Sequence, residues 1–176
     1  IACMLPIVLI ARAPWPASPA GLGHVIAAGL LMHVTNLGGS HYTQYLGVSA
    51  GITAVLLSVQ PLLTALIAAR WMGERLAGRQ WLGVALGLAG VMLVVWHKID
   101  VREMTLGSLL AVTISLVGIT AGTLYQRIFC PLVDLRVSAL VQFVASVLTL
   151  APLAWLVDGF QVEWAWPMFG AIAFLV

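Results

Sequence analysis

The sequence from residue 47 to residue 96 is GVSAGITAVLLSVQPLLTALIAARWMGERLAGRQWLGVALGLAGVMLVVW. It contains two apolar runs, residues 47–69 and residues 80–96, which a short charged elbow joins. A hydrocarbon core about 30 Å thick is crossed by about 20 helical residues, and both runs fall within the range of lengths that span it. Because a backbone in lipid must satisfy its own hydrogen bonds, each run is predicted to form a helix. Together they are predicted to form a transmembrane hairpin.

The composition extends this interpretation to the whole chain. Of the 176 residues, 62% are hydrophobic and 8% are charged, whereas about 25% of the residues in a soluble domain are charged. The apolar runs are also continuous, and a transmembrane β-barrel would instead show alternating segments of about ten residues. The sequence therefore predicts an all-α polytopic membrane protein.

Five apolar runs are long enough to be complete spans: residues 22–39, 47–69, 80–96, 106–126 and 137–157. The shorter apolar runs at residues 1–11 and 166–176 each resemble part of a span. The chain also begins with Ile rather than Met. We expect a fragment with about five complete and two partial transmembrane helices.

The basic residues are distributed unevenly between the two sides of the membrane. With these spans, Lys98 and Arg102 lie on one side, and the six other basic residues lie on the opposite side. Loops rich in Lys and Arg remain in the cytoplasm. The second side is therefore predicted to be cytoplasmic, and it carries Arg12, Arg70, Arg75, Arg79, Arg127 and Arg136. The net charge of +2 does not indicate nucleic-acid binding.

The residues give no support for an enzyme or an ion pump. The phosphate-loop motif GxxxxGK(S/T) and the zinc motif HExxH are absent from the sequence. No Asp, Glu, Lys or Arg lies inside a complete predicted span, where such residues mark ion pathways. Cys3 and Cys130 do not indicate a disulfide framework. We expect no enzymatic activity, no cofactor and no metal.

Three predicted spans contain a pair of glycines four residues apart. This spacing lets two helix backbones approach closely. The pairs serve either packing within the chain or formation of a homodimer, and the sequence leaves both open: Gly47 with Gly51, Gly83 with Gly87, and Gly118 with Gly122.

Polar side chains form one stripe along each of four predicted spans. Ser49, Thr53 and Gln60, for example, fall within about 60° on a helix of 3.6 residues per turn, and the threonines of residues 106–126 form another such stripe. In hydrocarbon such groups need partners or a water-filled cavity, so the stripes either join helices to one another or line a substrate cavity. His33 is the titratable side chain deepest in a span, either as a proton acceptor or as a neutral hydrogen-bonded group. The cavity candidates are His33, Asn36, Ser49, Thr53, Gln60 and Gln142.

Pro61 lies in the middle of a predicted span. Proline has no backbone N–H, so the carbonyl of Leu57 loses its helical partner and the helix is predicted to kink. The kink is either a static fit to neighbouring helices or a bend that flexes during transport.

Residues 49–95 resemble the EamA repeat of the drug/metabolite transporter superfamily. The matching features are the small-residue start of the helix, the mid-helix Pro61, and the elbow Gly73-Glu74-Arg75. The entry to the next helix also matches, with Gln80-Trp81-Leu82-Gly83 followed by Gly87 and Gly90. The match is close over about 50 residues and looser elsewhere.

This resemblance implies a fold of ten helices in two inverted five-helix repeats. Residues 1–97 are then the first repeat without its first helix, and residues 106–176 are the start of the second, truncated in its third helix. An offset of 146 residues, which places Arg12 on Asp158, agrees with an inverted copy because the two loops have opposite charge. The resemblance also implies a central cavity lined partly by the spans that carry His33 and Gln60, in an exporter of metabolites or amino acids in the bacterial inner membrane.

Two hypotheses follow for function. The first is a secondary transporter that moves a small neutral, zwitterionic or amphiphilic solute by alternating access. The second is a non-transport scaffold or subunit whose polar stripes only pack helices together. In either case the elbow Gly73-Glu74-Arg75 is expected to end a helix and anchor it at the cytoplasmic interface, with a gating contact as the alternative. The expected partners are the lipid bilayer and a small-molecule substrate.

Overall fold

The computed structural model describes residues 4–16, 18–73, 77–98 and 105–158, together with residues 166 and 170. In this part of the chain the regular structure is entirely helical. Eight α-helices and one π-helical segment follow one another: α1 Met4–Ile10, α2 Pro19–Gly29, the π segment Leu30–Val34, α3 Thr35–Tyr45, α4 Ala50–Leu57, α5 Gln60–Trp71, α6 Gly78–Lys98, α7 Leu106–Phe129 and α8 Leu135–Asp158.

Four helical stretches of the described chain are long and apolar enough to cross a membrane: Pro19–Tyr45, Ala50–Trp71, Leu106–Phe129 and Leu135–Val157. The first combines α2, the π segment and α3, and the second combines α4 and α5. Large apolar side chains such as Leu148 and Leu86 are exposed on the outside of the helices, as expected for surfaces that face lipid. The prediction of an all-α polytopic membrane protein is confirmed.

The remaining predicted span, residues 80–96, corresponds to α6, which has 21 residues. The side chains of residues 94–98 lie outside the described part of the chain, as do most residues of the run at 166–176. The first partial run corresponds to α1.

Three helices begin at a residue whose hydroxyl accepts a backbone N–H, because the first N–H groups of a helix have no partner within it. Ser18 accepts from Gly21 at 3.1 Å and precedes Pro19, which is tolerated in the first turn. Ser49 accepts from Ile52 at 3.3 Å, and Thr105 accepts from Ser108 at 3.2 Å. At the other end of α5, Gly73 has a φ of +69°, the left-handed conformation that commonly ends a helix.

The first complete span is longer than predicted. The expected end at residue 39 is wrong, because α3 continues to Tyr45 through residues that look like a polar tip. Their side chains hydrogen-bond to backbone carbonyls of the same helix. Thr43 donates to the carbonyl of Gly39 at 2.7 Å, and Gln44 donates to that of Ser40 at 3.3 Å. Polar groups that satisfy themselves in this way can remain helical against a neighbour, and Thr43 is fully buried.

Two of the spans are interrupted. In the first, the N–H of Thr35 bonds to the carbonyl of Leu30, five residues earlier, which defines the π segment. In the second, α4 ends at Leu57 and α5 begins at Gln60. Between them lies the 58–59 turn, where the N–H of Val59 bonds to the carbonyl of Leu56 at 3.4 Å. Pro61, which has no N–H, stands in the first turn of α5.

Helix α7 is the central element, since α2, the π segment, α3, α4 and α5 all contact it. The closest approach is made at its glycines. A Cβ atom at Gly118 would fall on the Thr35 hydroxyl, and one at Gly122 would lie 2.5 Å from Cγ of Met32. The pair Gly118 and Gly122 therefore packs helices within the chain.

The other two glycine pairs make looser contacts. Among the described residues, no atom lies within 4 Å of a Cβ at Gly51 or Gly83, whereas one at Gly87 would lie 3.2 Å from Leu62. Gly47 is in the turn before α4 with a φ of +94°, so its role there is conformational.

Helix α8 packs on α2, the π segment and α1. A buried apolar cluster joins α1, the connector after it and α2 to the residue after α7 and the first turns of α8: Val8, Ala13, Val25, Cys130, Val137, Leu140 and Val141. Arg12 and Arg136 are sequence neighbours of its members Ala13 and Val137. The structure thus brings two of the loops predicted to be cytoplasmic to the same end of the helices.

Candidate functional site

A cavity of about 470 Å³ lies between the π segment, the start of α3 and the second half of α8. His33 contributes the titratable side chain of its wall, and its ring centre lies 5.0 Å from that of Phe143 with the planes tilted by 36°. The lining residues are His33, Leu37, Phe143, Ser146, Val147, Leu150, Ala151 and Ala154. The cavity therefore has an apolar wall with two polar side chains, His33 and Ser146.

A second hollow of about 330 Å³ continues this cavity along the same two helices. Both are lined by Leu37, Leu150 and Ala154. The second is also lined by His41 and Val157, near the ends of α3 and α8. We call the two together the His33 groove. Since the opposite ends of these helices carry the arginine-rich loops, the charge distribution predicts that the groove opens to the outside.

Gln142 supports the wall of the groove rather than lining it. Its side chain is 4% exposed, and its amide Nε2 donates to the hydroxyl of Ser138 at 3.0 Å. Its backbone carbonyl accepts the hydroxyl of Ser146 at 2.7 Å, which orients that hydroxyl. A Cβ at Gly29 would lie 2.8 Å from Cα of Gln142, so the backbones of α2 and α8 approach each other closely here.

Asn36 joins α3 to α7. The hydroxyl of Ser115 lies 2.8 Å from the backbone carbonyl of Asn36 and 2.7 Å from its side-chain oxygen, so one hydroxyl is shared between two acceptors. Ser115 itself is fully buried. The amide nitrogen of Asn36 has no hydrogen-bond partner among the residues that the structure describes.

Gln60 joins α5 to the same helix α7. Its Nε2 donates to the hydroxyl of Thr64 at 3.1 Å and to that of Thr123 at 3.4 Å. Thr123 in turn donates to the carbonyl of Ile119 at 2.7 Å. The polar stripe of this span thus meets the threonine stripe of α7, directly after the 58–59 turn.

Ser49 and Thr53 lie apart from the His33 groove. Ser49 is exposed at the start of α4, and Thr53 is 2% exposed with its hydroxyl donating to the carbonyl of Ser49 at 3.1 Å. Of the six cavity candidates, the structure places His33 on the groove wall and Gln142 behind it, while Asn36 of α3 and Gln60 of α5 hydrogen-bond to α7. Of the elbow, Gly73 ends α5, while Glu74 and Arg75 lie outside the described residues.

Residues 47–51, GVSAG, have the GxSxG pattern of serine hydrolases. That motif needs a strand before the serine, which then stands exposed on a sharp turn. Here a helix, α3, precedes the segment, and the Ser49 hydroxyl accepts the Ile52 N–H as a helix cap. The local structure therefore gives no support for hydrolysis at Ser49.

The sequence pattern does not identify several residues that contact the candidates. Ser115 is an isolated serine, and Phe143 is one aromatic residue within an apolar run. Thr120 belongs to the predicted threonine stripe, but its hydroxyl is buried without a hydrogen-bond partner among the described residues. Within the same part of the chain no three His, Cys, Asp or Glu side chains are grouped to hold a metal ion.

A further aromatic cluster lies toward the arginine-rich end of α2 and α7. The Nδ1 atom of His24 lies 2.7 Å from the hydroxyl of Tyr125, and the His24 ring stacks on Phe129 with centres 5.0 Å apart. This cluster holds α2 against α7 before the π segment along the chain, whereas the groove is lined by the π segment itself and by α3.

The comparison with protein families matches residues 1–96 of this chain to the EamA-like transporter family. The matched region covers more than half of the 176 residues and contains His33, Asn36, Gln60 and the elbow. No curated protein and no solved structure matches the chain significantly.

Proposed function

Since the chain belongs to the EamA-like transporter family, we propose that it is part of a secondary transporter that exports a small metabolite or amino acid by alternating access. The proposed location is the bacterial inner membrane. The resemblance to the superfamily supports the direction and the location, and the described residues support the site and the movement.

The observation that carries the proposal is the His33 groove. Helices in lipid pack closely, so an open volume of about 470 Å³ between two spans falls in the size range of small-molecule sites. Its walls combine apolar surface with the imidazole of His33 and the hydroxyl of Ser146. The Ser146 hydrogen is used by Gln142, so its oxygen is left to accept a hydrogen bond from a solute.

These groups favour a small amphiphilic solute. A neutral imidazole offers one donor and one acceptor, and the described residues that line the groove include no Asp, Glu, Lys or Arg. A solute with an apolar part and a few polar groups, such as an apolar amino acid, would fit this chemistry better than a sugar or a polyanion.

The movement is supported by the two interruptions. The π segment contacts α7 at Gly118 and Gly122, and Gln60 bonds to Thr123. Both interrupted spans therefore meet the same short stretch of the continuous helix α7. Interruptions in helices are places where hydrogen bonds are already missing or weak, so bending there costs less than elsewhere. We propose that both spans bend against α7 between inward-open and outward-open states.

Export from cells that express the full-length protein tests the proposal. The expected result is that the external concentration of one solute in a panel of amino acids and metabolites rises with wild type. His33→Leu and Ser146→Ala are expected to lower that rate by about ten-fold, the effect of about 1.4 kcal/mol on the barrier. Thr113→Val is the matched control, because Thr113 is exposed on α7 and does not line the groove. Unchanged export in both groove variants at equal protein levels would contradict the site.

The non-transport alternative is favoured by one observation. Asn36 and Gln60 both hydrogen-bond to residues of α7, as expected for polar stripes that only hold helices together. Cysteines placed at Asn36, Thr53, Gln60 and Ser146 separate the two hypotheses in a protein whose Cys3 is replaced by Ser. A transporter is expected to let a charged aqueous thiol reagent reach the Ser146→Cys variant, because Ser146 lines the groove, whereas a scaffold would leave all four unmodified.

Native Cys130 is the internal control for this labelling. It is buried in the apolar cluster after α7, and burial raises the pKa of its thiol. The thiolate is the reactive form, so Cys130 is expected to react slowly at neutral pH. Its reaction should become faster as the pH rises toward that raised pKa.

A further inference from the structure

A second large cavity lies on the opposite side of α8 from the His33 groove. It has a volume of about 660 Å³ and is formed by α1, the connector after it, α2 and α8. We call it the α8 lipid-side groove, and it is lined by Leu5, Trp15, Leu22, Ile26, Leu30, Leu140, Val141, Val144, Ala145, Leu148 and Thr149.

The chemistry of this groove differs from that of the His33 groove. Thr149 is the polar side chain along its length, and its hydroxyl donates to the carbonyl of Ala145 at 2.9 Å. Trp15 is the other side chain with a polar atom, and it stands at one end with 59% of its surface exposed. A polar solute would lose its hydrogen bonds to water here without replacement, so the walls fit a hydrocarbon chain.

The length of the groove fits one leaflet of a bilayer. From Leu140 to Thr149 helix α8 rises about 13 Å at 1.5 Å per residue. The hydrocarbon core is about 30 Å thick, so a single leaflet accounts for about half of it. Trp15 marks the end of the groove at the membrane surface, since exposed tryptophans are enriched at that level.

Positive charge flanks that same end. Arg12 lies three residues before Trp15, and Arg136 lies four residues before Leu140. Both arginines are exposed, and their neighbours Ala13 and Val137 are buried in one cluster. The carboxylate of Asp134 accepts the backbone N–H of Arg136 at 2.8 Å and acts as a helix cap. Its single negative charge stands against the two arginines, so the local balance is positive.

We propose that the α8 lipid-side groove binds an anionic phospholipid. One acyl chain lies along Ile26, Val144 and Leu148, and the phosphate is bound by Arg12 and Arg136. Clusters of basic residues beside transmembrane helices recognise anionic headgroups through charge, each Lys or Arg contributing an attraction of about 1 kcal/mol, which is about five-fold in affinity. The apolar groove gives the chain a fixed place and the two arginines select the headgroup.

Native mass spectrometry of the full-length protein, released from nanodiscs that contain equal amounts of palmitoyl-oleoyl phosphatidylglycerol and phosphatidylcholine, tests this proposal. Wild type is expected to retain phosphatidylglycerol in preference to phosphatidylcholine. Arg12→Gln with Arg136→Gln is expected to lower that preference by about 25-fold, from about five-fold for each arginine. Ala145→Phe, which fills the groove, is expected to reduce the retention of both lipids.

Arg79→Gln is the matched control, because Arg79 is another exposed arginine of the predicted cytoplasmic side that does not flank the groove. Three results would overturn the proposal. Equal retention of the two lipids by wild type would remove the headgroup selection, and an equal loss in Arg79→Gln would reduce it to general attraction by positive charge. Unchanged retention in a folded Ala145→Phe variant would show that no acyl chain occupies the groove, as when another helix or a second copy of the chain covers it.

Discussion

The two interruptions of the helices differ in how the chain produces them. The 58–59 turn precedes Pro61, whose missing N–H leaves a carbonyl of the preceding turn without its helical partner. The π segment contains no proline and no glycine, since its sequence is Leu-Leu-Met-His-Val. It lies where one face of the helix meets α7 at Gly118 and Gly122, and where the preceding Gly29 meets Gln142 of α8. One interruption therefore has a local cause, and the other coincides with packing on two neighbours.

Pro152 shows that a proline alone does not interrupt a helix. It lies inside α8, which continues as one helix from Leu135 to Asp158. The break at residues 58 and 59 has a further contribution, because Gln60 directly after it is held to α7 through Thr123. The interruption before Pro61 therefore combines a local cause with a tertiary contact.

The largest expected effect concerns the packing around the π segment. Gly118→Ala would place a Cβ on the Thr35 hydroxyl, and overfilling a close helix contact of this kind costs about 1–3 kcal/mol. We expect the free energy of unfolding in mixed detergent micelles to fall by that amount. Gly83→Ala is the control, since no described residue has an atom within 4 Å of its Cβ position, and it should leave stability unchanged or slightly raised. Equal stability of both variants would contradict the close packing of the π segment on α7.

The second prediction concerns the 58–59 turn. Pro61→Ala restores a backbone N–H, and the additional helical hydrogen bond is worth about 1 kcal/mol. If transport requires bending at this turn, that bond must break in each cycle, and export should slow by about five-fold without loss of stability. Pro152→Ala is the matched control in the uninterrupted helix α8. Export that is equally fast in Pro61→Ala and wild type would show that the turn is a static fit to its neighbours.

The smallest expected effects compare two threonines of α7 that face the second interrupted span. Thr123 accepts a hydrogen bond from Gln60, so Thr123→Val should lower the free energy of unfolding by about 0.6 kcal/mol, the average for interhelical hydrogen bonds in membranes. The Thr120 hydroxyl is buried without a partner in the described part of the chain, so Thr120→Val should instead raise it by about 0.5 kcal/mol. Chemical unfolding of both variants in the same micelles measures the difference. A loss of stability in Thr120→Val would mean that a bound water or another residue satisfies this hydroxyl.

The positions of most spans follow from the sequence because their physical cause is local. A run such as residues 106–126 has no partner for its backbone in lipid except itself, and the structure extends it only to Phe129. The end of the first span could not be placed in this way. Ser40, Thr43 and Gln44 look like a polar loop, but their side chains bond to carbonyls one turn earlier and keep the helix intact.

The polar candidates also divide into a part that the sequence predicts and a part that it does not. The sequence identified Asn36 and Gln60 as side chains that need partners in hydrocarbon, because an amide cannot be left unpaired there. It could not identify Ser115 and Thr123 as those partners, since each lies more than 60 residues away along the chain.

By itself, the sequence determined that this protein is a bundle of apolar helices of the EamA-like family, because hydropathy and local motifs act over the length of one helix. Only the tertiary structure decided where the π segment lies and which candidates share a site. His33, Phe143 and Ser146 border one groove, while Ser49 caps a helix elsewhere. Which residues meet depends on which helix faces pack together. Close contacts between helices, such as those of Gly118 and Gly29, decide that packing. The hydrophobic pattern along a single helix does not show which neighbour it will contact.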